Sequence, residues 1–289
     1  MTLPRVAASF CLVGLLLCSC VPTSPTNHGE PTDPDGTYYS LDSALRSNPR
    51  DRVQWLYLNR QMYDSIPLQV TLLPNLRTLV MNENRIKNIP DFLSRTRISA
   101  LYLRYNQLDS INTVALPISL RELYLSDNKI RRMPHVLTRL RGLSHLDLAG
   151  NYLTDLPSGF AILADSLTNL KLGSNLLQQI PDELLLLQNL KILDWENNRL
   201  RSLPDSIQRW RKLEVLSVSD NWISSMPDAL CDMSSLSTLS VRNNLLSKLP
   251  QKISQLVHLG RLDVRENPIP LEEIRRLLVA LPKTTIYYE

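Results

Sequence analysis

Apolar and polar positions along this chain recur with a period of 22 to 24 residues. In each copy, apolar residues stand eight, five and three places before an asparagine and two and five places after it, with mostly polar residues between. The asparagines are Asn84, Asn106, Asn128, Asn151, Asn175, Asn198, Asn221, Asn244 and Asn267. Gln61 holds the same place one period earlier, which gives ten copies. Within a copy, Leu123 and Leu125 alternate with Glu122, Tyr124 and Ser126, and a period of two marks a short strand with one buried face. A fixed period of this length predicts a stack of units, none of which can bury its apolar face alone.

The asparagine falls where the chain turns away from the strand. Backbone groups in a buried turn are out of reach of water and each needs a partner. An amide side chain both donates and accepts, so a column of asparagines can bond successive turns together. Their role is therefore structural. Proline ends the phrase in most copies, as at Pro67, Pro90, Pro181, Pro204, Pro227 and Pro250, and it suits the start of a helical turn. Segments such as PDELLLLQNL and PDSIQRWRKL then predict one or two helical turns on the far side of the stack. The third copy has Asn112 in place of proline, which predicts a less regular segment there.

Two copies read LRELYLSDNKIRRMP (Leu120 to Pro134) and LKILDWENNRLRSLP (Leu190 to Pro204). This phrase, L-x-x-L-x-L-x-x-N-x-L-x-x-L-P, resembles the leucine-rich repeat family in its bacterial form. The resemblance covers residues 53–271. It implies an α/β solenoid, a horseshoe whose concave face is a parallel β-sheet of about ten repeats. A stack has two raw ends, and both need covers. Residues 38–52 supply one: Ser40 before Leu41, Ala44 and Leu45 suits a capped amphipathic helix. Residues 272–289 supply the other, with PIPLEEIRRLLVALP predicting a closing helix and Ile286 a last short rung.

Residues 1–20 do not fit the repeat. Arg5, the apolar run Val6 to Leu17 and Cys18-Ser19-Cys20 describe a secretory leader too short to span a membrane. Leu17-Cys18-Ser19-Cys20 is similar to the bacterial lipobox. That resemblance implies cleavage before Cys20 and its acylation; Cys18 is the rival position and an ordinary secretory leader the rival reading. Val21, rather than aspartate, after the cysteine favours the outer membrane over the inner. Residues 21–37, with four prolines and almost nothing apolar, predict a flexible tether. The lead-in SLDSALRSNPRDRVQWLYLN looks like that of leucine-rich proteins of the Bacteroidota, in agreement with an exported, lipid-anchored protein.

Charge and chemistry narrow the function. The chain has 32 basic and 28 acidic side chains, too even a balance to argue for nucleic acid. No Gly-rich phosphate loop, zinc-binding or nucleophile motif occurs. His28, His135, His145 and His258 fall in unrelated places, so no metal and no cofactor are expected. Asp147, Asp194 and Asp263 share a column but belong to non-adjacent copies, which argues against paired-carboxylate catalysis. Cys231 lies on the convex side, where a buried thiol is expected.

Function in such stacks falls on the concave face. Counting back from each asparagine puts Trp55, Tyr57, Tyr102 and Tyr124 there, with Tyr105 beside them. Clustered Trp and Tyr make binding anchors, with apolar faces and hydrogen-bonding tips. The alternative is that the N-terminal cap covers Trp55 and Tyr57. Tyr152, Leu176 and Trp222, at the sheet margin, form a weaker candidate site. The expected function is a non-enzymatic, envelope-anchored module that binds a protein, with a glycan as the other ligand class. A structural scaffold of an envelope assembly is the alternative, and an enzyme without a recognisable motif the minor one. The membrane enters only through the lipid anchor. The oligomeric state is not legible.

Overall fold

The computed structural model describes residues 35–133, 140–157 and 159–288. The leader, Cys18, Cys20 and most of the expected tether lie outside these residues. Twelve parallel strands form one sheet in strict sequence order, β1 to β12. Strands β2 (Trp55–Tyr57) to β11 (Arg261–Asp263) are three residues each, one per repeat. Their central residues pair in register, Leu56 with Leu79, Leu79 with Leu101, and so on to Leu262. All of these are fully buried. Trp195 takes a leucine position and is buried like one.

Two rungs extend the ten. β12 (Thr285–Tyr287) pairs with β11 through Ile286, as the sequence suggested. β1 (Thr37–Tyr38) pairs with β2 and starts inside the segment expected to be tether. The Gly36 carbonyl accepts from Gln54 N and Trp55 N at 2.9 and 3.1 Å, covering the edge of β2. Gly36 has φ +83°, and a Cβ there would lie 2.2 Å from the Arg52 carbonyl oxygen. Only glycine fits that approach.

The asparagines act as predicted. The Asn175 side-chain amide donates to the carbonyls of Leu148, Leu172 and Gly173 at 3.0, 2.9 and 3.2 Å. Its carbonyl oxygen accepts from Leu153 N at 3.0 Å. Gln61 departs from the column: one methylene longer, it reaches outward and donates to the Tyr39 carbonyl at 3.1 Å.

The convex segments are 3-10 helices of three to five residues rather than α-helical turns. Leu93 N bonds to the Pro90 carbonyl, and Leu184 N to Pro181, an i to i+3 pattern. An α-helix is about 10 Å across and strands sit about 4.8 Å apart, so the narrower coil lets convex segments follow the strand spacing more closely. In the third copy the expected irregularity is replaced by a cap. Asn112 Oδ1 accepts from Val114 N at 3.1 Å, at the start of the 3-10 helix Thr113–Ala115.

Both ends are covered by helices. Helix α1 (Leu41–Arg46) is capped by Ser40 and buries Ala44. Helix α2 (Leu271–Ala280) buries Ile274 and Leu277. Glu273 accepts from Leu249 N and Arg276 donates to the Leu249 carbonyl, at 3.0 and 3.1 Å, so the cap also closes open backbone in the ninth repeat. No helix among the described residues is long and apolar enough to cross a membrane.

Candidate functional site

The strand register aligns one concave column: Tyr57, Val80, Tyr102, Tyr124, Asp147, Lys171 and Asp194 are successive neighbours. The expected aromatic cluster divides in two, because Val80 is fully buried between Tyr57 and Tyr102. At the N-terminal end, the Tyr57 ring stacks on Tyr39 at 5.4 Å, beside part-buried Trp55. Burial, then the Tyr39 phenol, pushes the Tyr57 phenol proton up. Tyr39 had no place in the sequence argument because it precedes the first repeat.

The second group is Tyr102, Tyr124 and Tyr105. Tyr102 and Tyr124 stack at 4.4 Å with planes 13° apart. The Tyr102 hydroxyl donates to Glu122 Oε2 at 2.9 Å, and burial followed by Tyr124 and Glu122 raises its proton affinity. Tyr124 differs from the expectation of an open anchor: it is only 4 % exposed. The Tyr102 ring covers one side, and the Arg104 guanidinium lies 4.7 Å from its ring centre. Tyr105 is 58 % exposed and stands on the turn rather than the strand, with φ +53°. Asp127 beside it, then burial, raises its proton affinity.

Arg104 was missed by the sequence argument and holds this group together. Its Nη2 bonds to Asp147 Oδ2 at 2.8 Å, two strands away, across Tyr124. Asp147 also accepts from Ala149 N at 3.2 Å. The pair is largely out of water, and both charges keep further contacts, so the ridge is fixed before any ligand arrives.

The other two aspartates of the column stand apart, as their spacing implied. Asp263 pairs with Arg265 at 2.6 Å. Asp194 accepts from Glu196 N at 3.0 Å, and burial raises its carboxyl proton affinity. Glu196 is pushed up to about 6 by burial, with Asp194 and Asp220 adding. Cys231 is buried on the convex side, its thiol pushed up to about 11 by burial. Among the described residues no group of three His, Cys, Asp or Glu side chains could hold a metal ion.

Tyr152, Leu176 and Trp222 are not on the concave face. They occupy the column one residue past each asparagine, on the flank of the stack. Their backbone N–H groups donate to carbonyls of the preceding repeats, Ile130, Leu153 and Leu200, at 2.8 to 2.9 Å. Tyr152 and Trp222 are 49 and 48 % exposed, and Leu176 is part-buried. Arg131 lies 5.8 Å from the Tyr152 ring centre and Arg201 5.9 Å from that of Trp222. The flank and the concave ridge are therefore separate surfaces.

A model of the leucine rich repeat matches residues 96–153 and 165–223. No curated protein matches the chain in sequence. Solved structures do match in fold. A leucine-rich repeat protein of Leptospira interrogans has TM-score 0.53 and 21 % identity, covering 86 % of this chain and 99 % of that one. The plant peptide hormone receptor RGFR1, in complex with RGF2, has TM-score 0.62 and 23 % identity, covering 78 % of this chain and 41 % of the receptor. A chain of an octameric complex of latrophilin 3, Unc5D and FLRT2, the last with leucine-rich repeats, has TM-score 0.63 and 22 % identity, with coverages of 83 and 84 %. The register of twelve parallel strands, the asparagine turns and these likenesses agree: the chain folds as a leucine-rich repeat solenoid.

Proposed function

We propose that this chain is a non-enzymatic binding module that recognises a protein partner through its concave face and is held at a bacterial envelope by acylation of Cys20. The observation that carries the first part is the ridge of Tyr102 and Tyr105 over the fixed Tyr124–Arg104–Asp147 group. Rigid aromatics and arginine, held in place by buried neighbours, are the residue types that dominate binding energy at protein interfaces. The likeness to a receptor solved in complex with a peptide hormone supports the same ligand class.

The test is a photo-crosslinking amino acid placed in the full chain in its native cells, at position 105 on the ridge or at position 257, an exposed convex site. Crosslinks from 105 that disappear in Tyr102→Ala are the expected outcome. Crosslinks from 257 alone would favour a scaffold that packs by its convex side. For the anchor, Cys20→Ala should abolish acyl labelling. Persistent labelling would move the modification elsewhere. Val21 after the cysteine favours an outer-membrane location, and fractionation of the two membranes tests it.

A further inference from the structure

The flank carries a charge pattern that the whole-chain balance conceals. Its surface is built from the residues one, three and four places past each asparagine. From the second repeat to the ninth, each first residue donates its backbone N–H to the preceding repeat, as Arg85 does to Tyr63 and Leu245 to Ile223, so these side chains form a continuous row. From Met62 to Leu245 the row climbs eight repeats, about 40 Å at the usual strand spacing.

Exposed Arg85, Lys129 and Arg199 stand in this row, and Arg131, Arg132 and Arg201 lie beside it. Lys87 and Lys248 add to them, against three exposed acids, Asp64, Asp109 and Asp155. The acids of the neighbouring column lie at the concave margin, where Glu83 pairs with Arg60 and Glu266 with Arg242. Interleaved with the basic residues are Met62, Tyr152, Leu176, Trp222 and Leu245, all in the same row. Two of the arginines already lie against the aromatic rings of this row.

We infer that this flank rests on an anionic lipid bilayer. Phosphate groups would meet the Arg and Lys side chains, while the Trp, Tyr, Leu and Met side chains enter the boundary between headgroups and acyl chains. The charge alone would suit any polyanion. The apolar half of the row decides: Met62, Leu176 and Leu245 have no use against a sugar or nucleic-acid backbone but gain from contact with acyl chains. The row is long and continuous and lies open on the flank, which suits a surface rather than a pocket. Contact along the flank leaves the concave ridge open at the side, so this inference does not rest on the concave-face proposal.

An apolar leader or an acyl chain can hold the full chain on any vesicle, so the readout must be local. Trp195 and Trp210 are fully buried, whereas Trp222 is exposed on the flank. The full chain is mixed with vesicles of phosphatidylcholine alone, or with about 30 % brominated phosphatidylglycerol, matched to brominated phosphatidylcholine as control. The difference in quenching between the native chain and Trp222→Phe reports contact at this site. Strong quenching with phosphatidylglycerol, weak quenching with phosphatidylcholine and loss at about 0.5 M salt are expected. Arg131→Glu with Arg199→Glu and Arg201→Glu should reduce quenching by about threefold or more, since each basic residue contributes about fivefold to binding at a membrane surface. Tyr102→Ala should leave it unchanged. The glutamine variants at the same three arginines, with unchanged melting, guard against misfolding. Equal quenching on both lipids, none on either, or quenching that survives the charge changes would overturn the inference. Protection of Trp222 by a soluble acidic polysaccharide, with no effect of vesicles, would overturn it in favour of a polyanion.

Discussion

Asn175 carries four hydrogen bonds from one side chain that is only 5 % exposed, and they join the turns of two successive repeats. Alanine at this site leaves the Leu153 N–H buried without a partner and removes one of two donors from each of the three carbonyls, which keep Asn151, Asn198 and the Gly150 N–H. The unpaired N–H costs about 1–3 kcal/mol and each lost second bond about 0.5–1.5 kcal/mol, so Asn175→Ala should cost about 2 kcal/mol or more, read as a lowered urea midpoint. Asn175→Asp keeps the size but turns a carboxylate oxygen toward three carbonyls, and it should be at least as damaging. A loss below about 1 kcal/mol in both would mean that water fills the role. These asparagines were legible in the sequence because the same side chain meets the same need in every copy. Arg104–Asp147 was not, because it joins residues 43 apart through side-chain reach, which no spacing rule encodes. Glu196 gives a pH-dependent case. Its pKa rises from 4.5 to about 6 on folding, mainly through burial. Burial therefore disfavours its ionised form: the native state keeps full stability below about 4.5 and loses it as pH rises through about 6. Glu196→Gln should thus be more stable than the native chain above that range, by no more than about 2 kcal/mol, with the gap closing toward pH 4.5. A gap independent of pH in urea titrations would show that the glutamine acts through packing alone.

At the level of the element, the turn is the unit that repeats most strictly. The residue just before each of the asparagines has φ near +50° or above, from Glu83 through Tyr105, Asp127 and Gly150 to Glu266. Asp, Asn and Gly hold this place in five copies, and these are the residues that tolerate the left-handed region best. That column was a second signal in the sequence, weaker than the asparagines because a strain of about 1–2 kcal/mol is tolerated where neighbours fix the turn. Tyr105 sits on this column, which is why its ring projects from the turn and stays open while Tyr102 and Tyr124 fold over the strands. The first repeat shows what the asparagine contributes. Where Gln61 replaces it, left-handed residues appear on both sides, Arg60 and Met62, and the side chain leaves the turn to hold Tyr39 instead. Periodicity could place strands and turns, but it could not choose between α and 3-10 coils on the convex side. That choice depends on how closely successive repeats stack, a property of the assembled sheet.

For the whole molecule, the principal contacts join elements that are neighbours along the stack, and the two helical caps touch only the ends. Stability in such an array is a sum of units and of interfaces between adjacent units, so damage should stay near where it is made. Leu277 is fully buried in α2 against the last repeats. A charge there cannot be hydrated without opening the cap, so Leu277→Asp should release α2 and expose the apolar face beneath it. Backbone hydrogen exchange should then lose protection in β10 (Thr238–Ser240), β11 and β12, while β3 (Thr78–Val80) to β7 (Asn169–Lys171) keep native protection. The concave ridge at Tyr102 and Tyr105 lies in that unaffected half, so crosslinking from position 105 should survive the substitution. The basic flank spans both halves, and its contact at Trp222 should weaken as the C-terminal repeats fray. Uniform loss of protection from β3 to β11 would instead show that the repeats fold as one cooperative unit, with the cap as essential to the distant ridge as to its own end.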